Sequence, residues 1–243
     1  QETEHVEKDV KEIHHDFEVG EGPFQVHPLI QSLPSELDYT SFEAYDENIY
    51  LGTSTGDLLH YFEIEPRNYM LVSQTKFDSD STHRIDKILL LPRIERALVL
   101  SNNTLVVFLL PEFAPAPNTL KLNGICDIVL RCYSDRSNSY KMYAASKDYI
   151  KFLKVSSNAI TRSKIYDYKN IEKLECHDHI LAVAQGNTYE IINLTTSSKT
   201  PLFRVSETDA PLAPVIANFS QREYLISTGG ASYQDSSMAL IVN

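Results

Sequence analysis

The stretch Tyr45–Pro66, "YDENIYLGTSTGDLLHYFEIEP", holds two runs of β-forming residues, Ile49–Thr53 and Asp57–Ile64, on either side of Ser54-Thr55-Gly56. Aromatic and β-branched side chains suit a pleated, half-buried surface, and the glycine supplies the left-handed backbone that a tight hairpin turn needs. Working outward, Ser41–Tyr45 precedes the hairpin across a turn at Asp46-Glu47-Asn48, and Tyr69–Phe77 follows it across Glu65-Pro66-Arg67-Asn68. This predicts four consecutive antiparallel strands.

The pattern returns at Lys87–Glu112 ("KILLLPRIERALVLSNNTLVVFLLPE"), at Asp127–Ile165 and at Lys173–Val205, and a fifth copy begins at Val215. Aligning the second strands at Tyr50, Ala97, Tyr143, Leu181 and Leu225 gives a period of about 40–45 residues, the spacing of one propeller blade per repeat. A lone twisted sheet leaves two faces to water, whereas sheets stacked radially bury both. Leu98-Val99-Leu100 and Leu181-Ala182-Val183 are apolar on consecutive residues, as strands covered on both sides should be. The fold class is therefore all-β, a β-propeller of four-stranded antiparallel blades. A β-sandwich is the alternative, and the repeat period argues against it. Four blades and the start of a fifth, against the four to eight typical of closed propellers, lead to the expectation that the propeller is incomplete in this chain, with further blades elsewhere.

Composition narrows the function classes. A net charge of -11 repels nucleic-acid phosphates and anionic membrane surfaces, so no nucleic-acid partner is expected. Cys126, Cys132 and Cys176 form an odd set without a C-x-x-C pair, which fits neither a disulfide framework nor a zinc site and favours a reducing, intracellular setting. No apolar run approaches the roughly 20 residues of a membrane span, and no basic-then-apolar start suggests a signal peptide, so no direct transmembrane insertion is expected. The chain begins with Gln1 rather than Met, which leads to the expectation of further sequence upstream.

Residues 1–22 carry eight acidic side chains against Lys8 and Lys11 and read as an acidic flexible tail, leaving 23–243 as the propeller. His5, His14 and His15 lie in that tail and read as solvated side chains rather than metal ligands. Phe24–Leu33 alternates apolar and polar residues around Pro28, the pattern of an edge strand.

The triplets STG, SNN, SKD and QGN fall at corresponding points of the first four repeats and read as hairpin turns rather than phosphate cradles, since no helix follows them. Cys176-His177-Asp178-His179 sits where its repeat needs a first turn, and that reading outweighs a metal site. No nucleophile elbow, metalloprotease helix or P-loop is present, so no catalytic residue, metal or cofactor is expected, and Glu63 and Glu65 read as solvated faces.

Leu109–Leu122, "LLPEFAPAPNTLKL", is expected to link two blades, stiffened by three prolines. Phe113 within it is a candidate exposed aromatic for partner contact; the alternative is that it covers the neighbouring blade. Tyr233, in the long loop "STGGASYQDSSM", is the second partner-binding candidate. With strands alternating in direction, links between second and third strands and links between blades emerge on one end of the propeller. That end is expected to gather Asp78–Thr82, Pro111–Asn118, Ser206–Pro214 and Gly229–Ser237, and with them the partner contacts.

"NIYLGTSTGDLLHYFEI", "LVVFLLPEF" and the terminal "MALIVN" resemble the citron homology (CNH) domain, in the form found at the amino end of endolysosomal tethering subunits. These are relatives of the TGF-beta receptor-associated protein, the vacuolar protein sorting subunits of CORVET and HOPS. The ending "TGGASYQDSSMALIVN" is closer to the CORVET form. The resemblance implies a non-catalytic scaffold placed before an α-solenoid, cytoplasmic and peripheral on endosome or vacuole membranes. Its implied partners are an endosomal Rab GTPase in its GTP form and other tethering-complex subunits. A general propeller scaffold binding a Rho-type GTPase or a peptide is the competing reading, and a propeller hydrolase is a third.

Overall fold

The computed structural model describes residues 22–118, 121–204, 214–227 and 239–242. The first blade is the hairpin pair read from the sequence, in the order β1 (Tyr39–Tyr45), β2 (Asn48–Thr53), β3 (Asp57–Glu65) and β4 (Asn68–Lys76). The second holds β5 (Ile85–Leu91), β6 (Arg96–Ser101), β7 (Thr104–Leu109), β8 (Ala114–Pro115) and β9 (Lys121–Asn123). The third is β10 (Ile125–Ser134), β11 (Ser139–Ser146), β12 (Ile150–Val155) and β13 (Ile160–Tyr166). The fourth is β14 (Lys173–His177), β15 (Ile180–Gln185), β16 (Thr188–Asn193) and β17 (Ser198–Arg204). A fifth sheet pairs β18 (Ile216–Asn218), β19 (Tyr224–Ser227) and β20 (Ala239–Val242). All described pairings are antiparallel and, apart from β9 with β7, join chain neighbours; the only described helix is one 3-10 turn at Pro92–Ile94.

Consecutive apolar residues on the inner strands feed two interfaces at once. Leu98 and Leu100 face the third blade with Met142 and Leu153, while Ala97 and Val99 face the first with Tyr50 and Leu58. Hydrogen bonds also tie the first strands together from blade to blade. Thr40 Oγ1 donates to the Ile85 carbonyl at 2.7 Å, and Asn218 Nδ2 donates to the Cys176 carbonyl at 3.2 Å. Asp127, 3% exposed on β10, accepts from Lys87 Nζ on β5 at 3.3 Å and from the Leu174 amide on β14 at 3.0 Å, so one carboxylate links three blades. At Gly52 the first two blades approach so closely that a Cβ would stand 2.6 Å from the Ile85 side chain.

The hairpin turns follow the predicted chemistry at three of four sites. Gly56, Asn102, Asn103 and Gly186 have positive φ. Ser146-Lys147-Asp148 instead closes through its serine, whose Oγ donates to the Tyr149 carbonyl at 3.0 Å.

Three expectations are corrected. Phe24–Leu33 is not a strand: Pro28 removes a ladder donor, and the segment meets β4 through one bond, from the Tyr69 amide to the Leu29 carbonyl at 3.2 Å. It continues over the first blade, where Ile30 and Leu37 cover Ile49, Leu51, Leu59 and Tyr61. Leu109–Leu122 is not a free link either. Ala114–Pro115 and Lys121–Asn123 return along β7 as an interrupted fourth strand, which tolerates proline because it is an edge. Leu110–Phe113 is therefore the turn between third and fourth strands, at the opposite end of the propeller from the one expected, where the Leu110 amide bonds the Glu95 carbonyl at 3.0 Å. The tail to residue 21, and the loops 206–213 and 229–237, lie outside the described residues.

Candidate functional site

Where the first two blades diverge, their first turns and the Leu110–Phe113 turn enclose an open cleft of about 680 Å³. Its floor is built from alternate residues of β2 and β3. Asn48, Tyr50, His60 and Phe62 all line it, because cross-strand partners Tyr50 and His60, and Asn48 and Phe62, share one sheet face. His60 is 4% exposed; its Nε2 meets Asn48 Oδ1 at 2.7 Å, and its ring stacks on Tyr50 with centroids 4.8 Å apart. The other ring nitrogen, Nδ1, is buried without a partner among the described residues. Burial pulls the His60 pKa down, against an opposing pull from the Glu112 carboxylate. Burial, aided by Glu112, pushes the Tyr50 phenol up to about 12, so it stays protonated and donates to the Pro111 carbonyl at 3.1 Å.

The walls carry charge of one sign. Asp46, Glu47, Glu95 and Glu112 stand exposed around the cleft, and no lysine or arginine lines it. None of the four carboxylates forms an ion pair among the described residues. The outer mouth is apolar: Val72 and Phe62 line it, and Met70, Leu71 and Val72 stand exposed along the edge strand β4. Charge is unevenly spread over the chain, since residues 131–173 hold ten Lys and Arg against four Asp and Glu. The third blade is thus basic and the cleft between the first two acidic.

This arrangement suits binding rather than bond-making. His60 is held in a stack and a hydrogen bond, and among the described residues no hydroxyl or thiol is hydrogen-bonded to its ring. Among the described residues no group of three His, Cys, Asp or Glu is placed to hold a metal ion. The Cys176–His179 segment is the predicted turn, with Asp178 at φ 54 and paired to Arg131 at 2.6 Å. Burial pushes the Cys176 thiol up to about 12, which keeps it protonated and inert.

Of the two aromatics proposed from sequence, Phe113 is not an exposed anchor. It is 1% exposed, packed against Tyr50 at 4.8 Å and Phe108 at 5.5 Å. The covering alternative is the one realised: Phe113 at φ 56 turns inward and supports the cleft floor from beneath. Tyr233 lies outside the described residues. The cleft residues escaped the sequence reading, although Met70-Leu71-Val72, an unbroken apolar run in an edge strand, was a visible signal.

Residues 34–243 match the VPS3 N-terminal domain family. Over 228 residues the chain is 50% identical to vacuolar protein sorting-associated protein 3 of Saccharomyces cerevisiae, covering 93% of the chain and 23% of that protein. Over 211 residues it is 23% identical to the Schizosaccharomyces pombe protein of the same name, covering 82% of the chain and 22% of that protein. The chain spans under a quarter of the length of these curated relatives. Among solved structures it is similar to the Neurospora crassa Pan2 WD40 domain, with TM-score 0.56 and 12% identity over 90% of the chain and 63% of that structure. It is similar to the AfRom2 CNH domain with TM-score 0.50 and 15% identity, over 85% of the chain and 74% of that structure. At these identities the structural likeness shows the fold alone.

Proposed function

The chain belongs to the VPS3 N-terminal domain family, and from that premise we propose that it is a non-catalytic scaffold of a CORVET-type vesicle-tethering complex. It acts before membrane fusion, in the cytoplasm and peripherally on endosome or vacuole membranes, and its partners are an endosomal Rab GTPase in the GTP form and other subunits of the complex. The nucleotide belongs to the Rab, whose switch loops are ordered by the γ-phosphate and present a different surface once it is lost.

The observation that carries a scaffold reading is the cleft between the first two blades: open, apolar at its mouth and acidic at its rim. Rigid blades presenting an apolar patch inside a polar rim have the anatomy of a protein interface. The test is direct binding of the purified chain to endosomal Rabs loaded with a non-hydrolysable GTP analogue or with GDP, beside a Rho-type GTPase as comparison. The expected result is at least about tenfold preference for the GTP form of one Rab, a difference near 1.4 kcal/mol. Equal binding of both nucleotide states, or preference for the Rho-type protein, overturns the reading.

A further inference from the structure

We infer that the cleft between the first two blades is a peptide-binding site for a short partner segment that carries an arginine or lysine beside apolar residues. The inference rests on the scaffold reading and deepens it by giving the occupant its chemistry. Three features of the cleft select that occupant.

The first is charge. Asp46, Glu47, Glu95 and Glu112 converge from three turns, no cationic side chain lines the cleft, and the described residues provide none of the four with an ion-pair partner. A cation entering there meets four acceptors, whereas an anion meets only repulsion. The second is shape and polarity. A volume of about 680 Å³ takes one long side chain and its neighbours from a protruding loop or tail of the partner, and Phe62, Val72, Pro92 and Leu110 give the aliphatic stem apolar wall to lie on. The third is the unsatisfied nitrogen of His60, buried in the floor next to Tyr50. A polar atom left without a partner in so enclosed a place costs stability unless something supplies one, and it marks the floor as built for a ligand. A folded acidic surface or an anionic lipid would be repelled by the same rim.

The probes are five synthetic peptides, acetyl-Ala-Leu-X-Leu-Ala-amide, with X arginine, lysine, citrulline, glutamine or glutamate. Citrulline keeps the shape of arginine and removes its charge. Binding to the whole chain is followed by isothermal titration calorimetry and by the NMR shifts of the His60 ring, up to millimolar peptide. The arginine and lysine peptides should bind and move the His60 signals, the citrulline and glutamine peptides about five-fold or more weakly, and the glutamate peptide not at all. In the double variant Glu47→Gln, Glu112→Gln the gap between arginine and citrulline should close. The double variant Asp148→Asn, Asp167→Asn, the same charge change at the opposite end of the third blade, should leave it open. Equal binding of all five peptides, binding of none, or a gap that survives the double variant overturns the inference. No GTPase is present in this assay, so its failure is separate from failure of the Rab preference.

Discussion

Replacing Phe113 with alanine separates a core role from a surface one. Phe113 is 1% exposed and wedged between Tyr50 and Phe108, so truncation removes almost all of a buried aromatic ring from the interface of the first two blades. Such changes cost about 3–5 kcal/mol in transfer and cavity terms. For a chain of this size each kcal/mol moves Tm by about 2–4 °C, so the midpoint should fall by roughly 6–20 °C. The backbone adds a second signature. Residue 113 sits at φ 56, a conformation that strains any side chain with a Cβ by about 1 kcal/mol, so Phe113→Gly should melt no lower than Phe113→Ala despite losing one more carbon. Phe113→Leu, which keeps most of the volume, should recover more than half of the loss. Differential scanning calorimetry of the three variants measures all of this. A midpoint within about 2 °C of the parent for Phe113→Ala would show that the ring is solvent-exposed, and would refute the packing argument together with the cleft floor built on it.

Asp127→Ala should cost about 1–3 kcal/mol, read by denaturant titration, because it leaves the buried Leu174 amide without its acceptor and takes one of two acceptors from Lys87, which keeps the Ile128 carbonyl. Gly52→Ala should destabilise by several kcal/mol or fail to fold, since the new methyl meets Ile85, itself fully buried, at 2.6 Å; in thermal melts it should fall further than Gly124→Ala, which meets nothing within 4 Å and carries only the strain of φ +74. His60, its pKa lowered by burial, is held neutral in the folded chain. Its contribution to stability is complete above the unfolded value of 6.5 and is lost as pH falls through the lower folded value. His60→Gln should therefore flatten the decline in Tm between pH 7 and pH 5 relative to the parent.

The blades were legible because their signals are local. Turn triplets, consecutive apolar residues and a recurring strand pattern placed all five second strands, and the hairpin at Tyr45–Pro66 matches β2 and β3 to within a residue. The cleft was not legible, because it arises from residues of two blades that meet only when the sheets stack. Glu47, Glu95 and Glu112 lie far apart in the sequence, and their convergence depends on which end of the propeller the Leu110–Phe113 turn occupies. That end was misassigned because Pro115 and Pro117 looked incompatible with strand pairing, whereas an edge strand accepts a proline whose missing amide would have faced outward. The exposed reading of Phe113 failed for the same reason, and its covering alternative held: proline-flanked aromatics in a presumed linker look exposed, and the return of the chain along β7 turns this one inward.

The most direct measurement is hydrogen–deuterium exchange of the chain, alone and mixed with an endosomal Rab in each nucleotide state. Slowed exchange is expected at Tyr45–Asn48, along Phe62 and Met70–Ser73, and at the turns around Glu95 and Glu112, with the GTP-analogue form alone. Exchange at the opposite end, in Ser54–Gly56, Ser101–Asn103 and Ser146–Asp148, should stay unchanged. Protection concentrated in those opposite turns, or the same protection with GDP, would contradict this expectation.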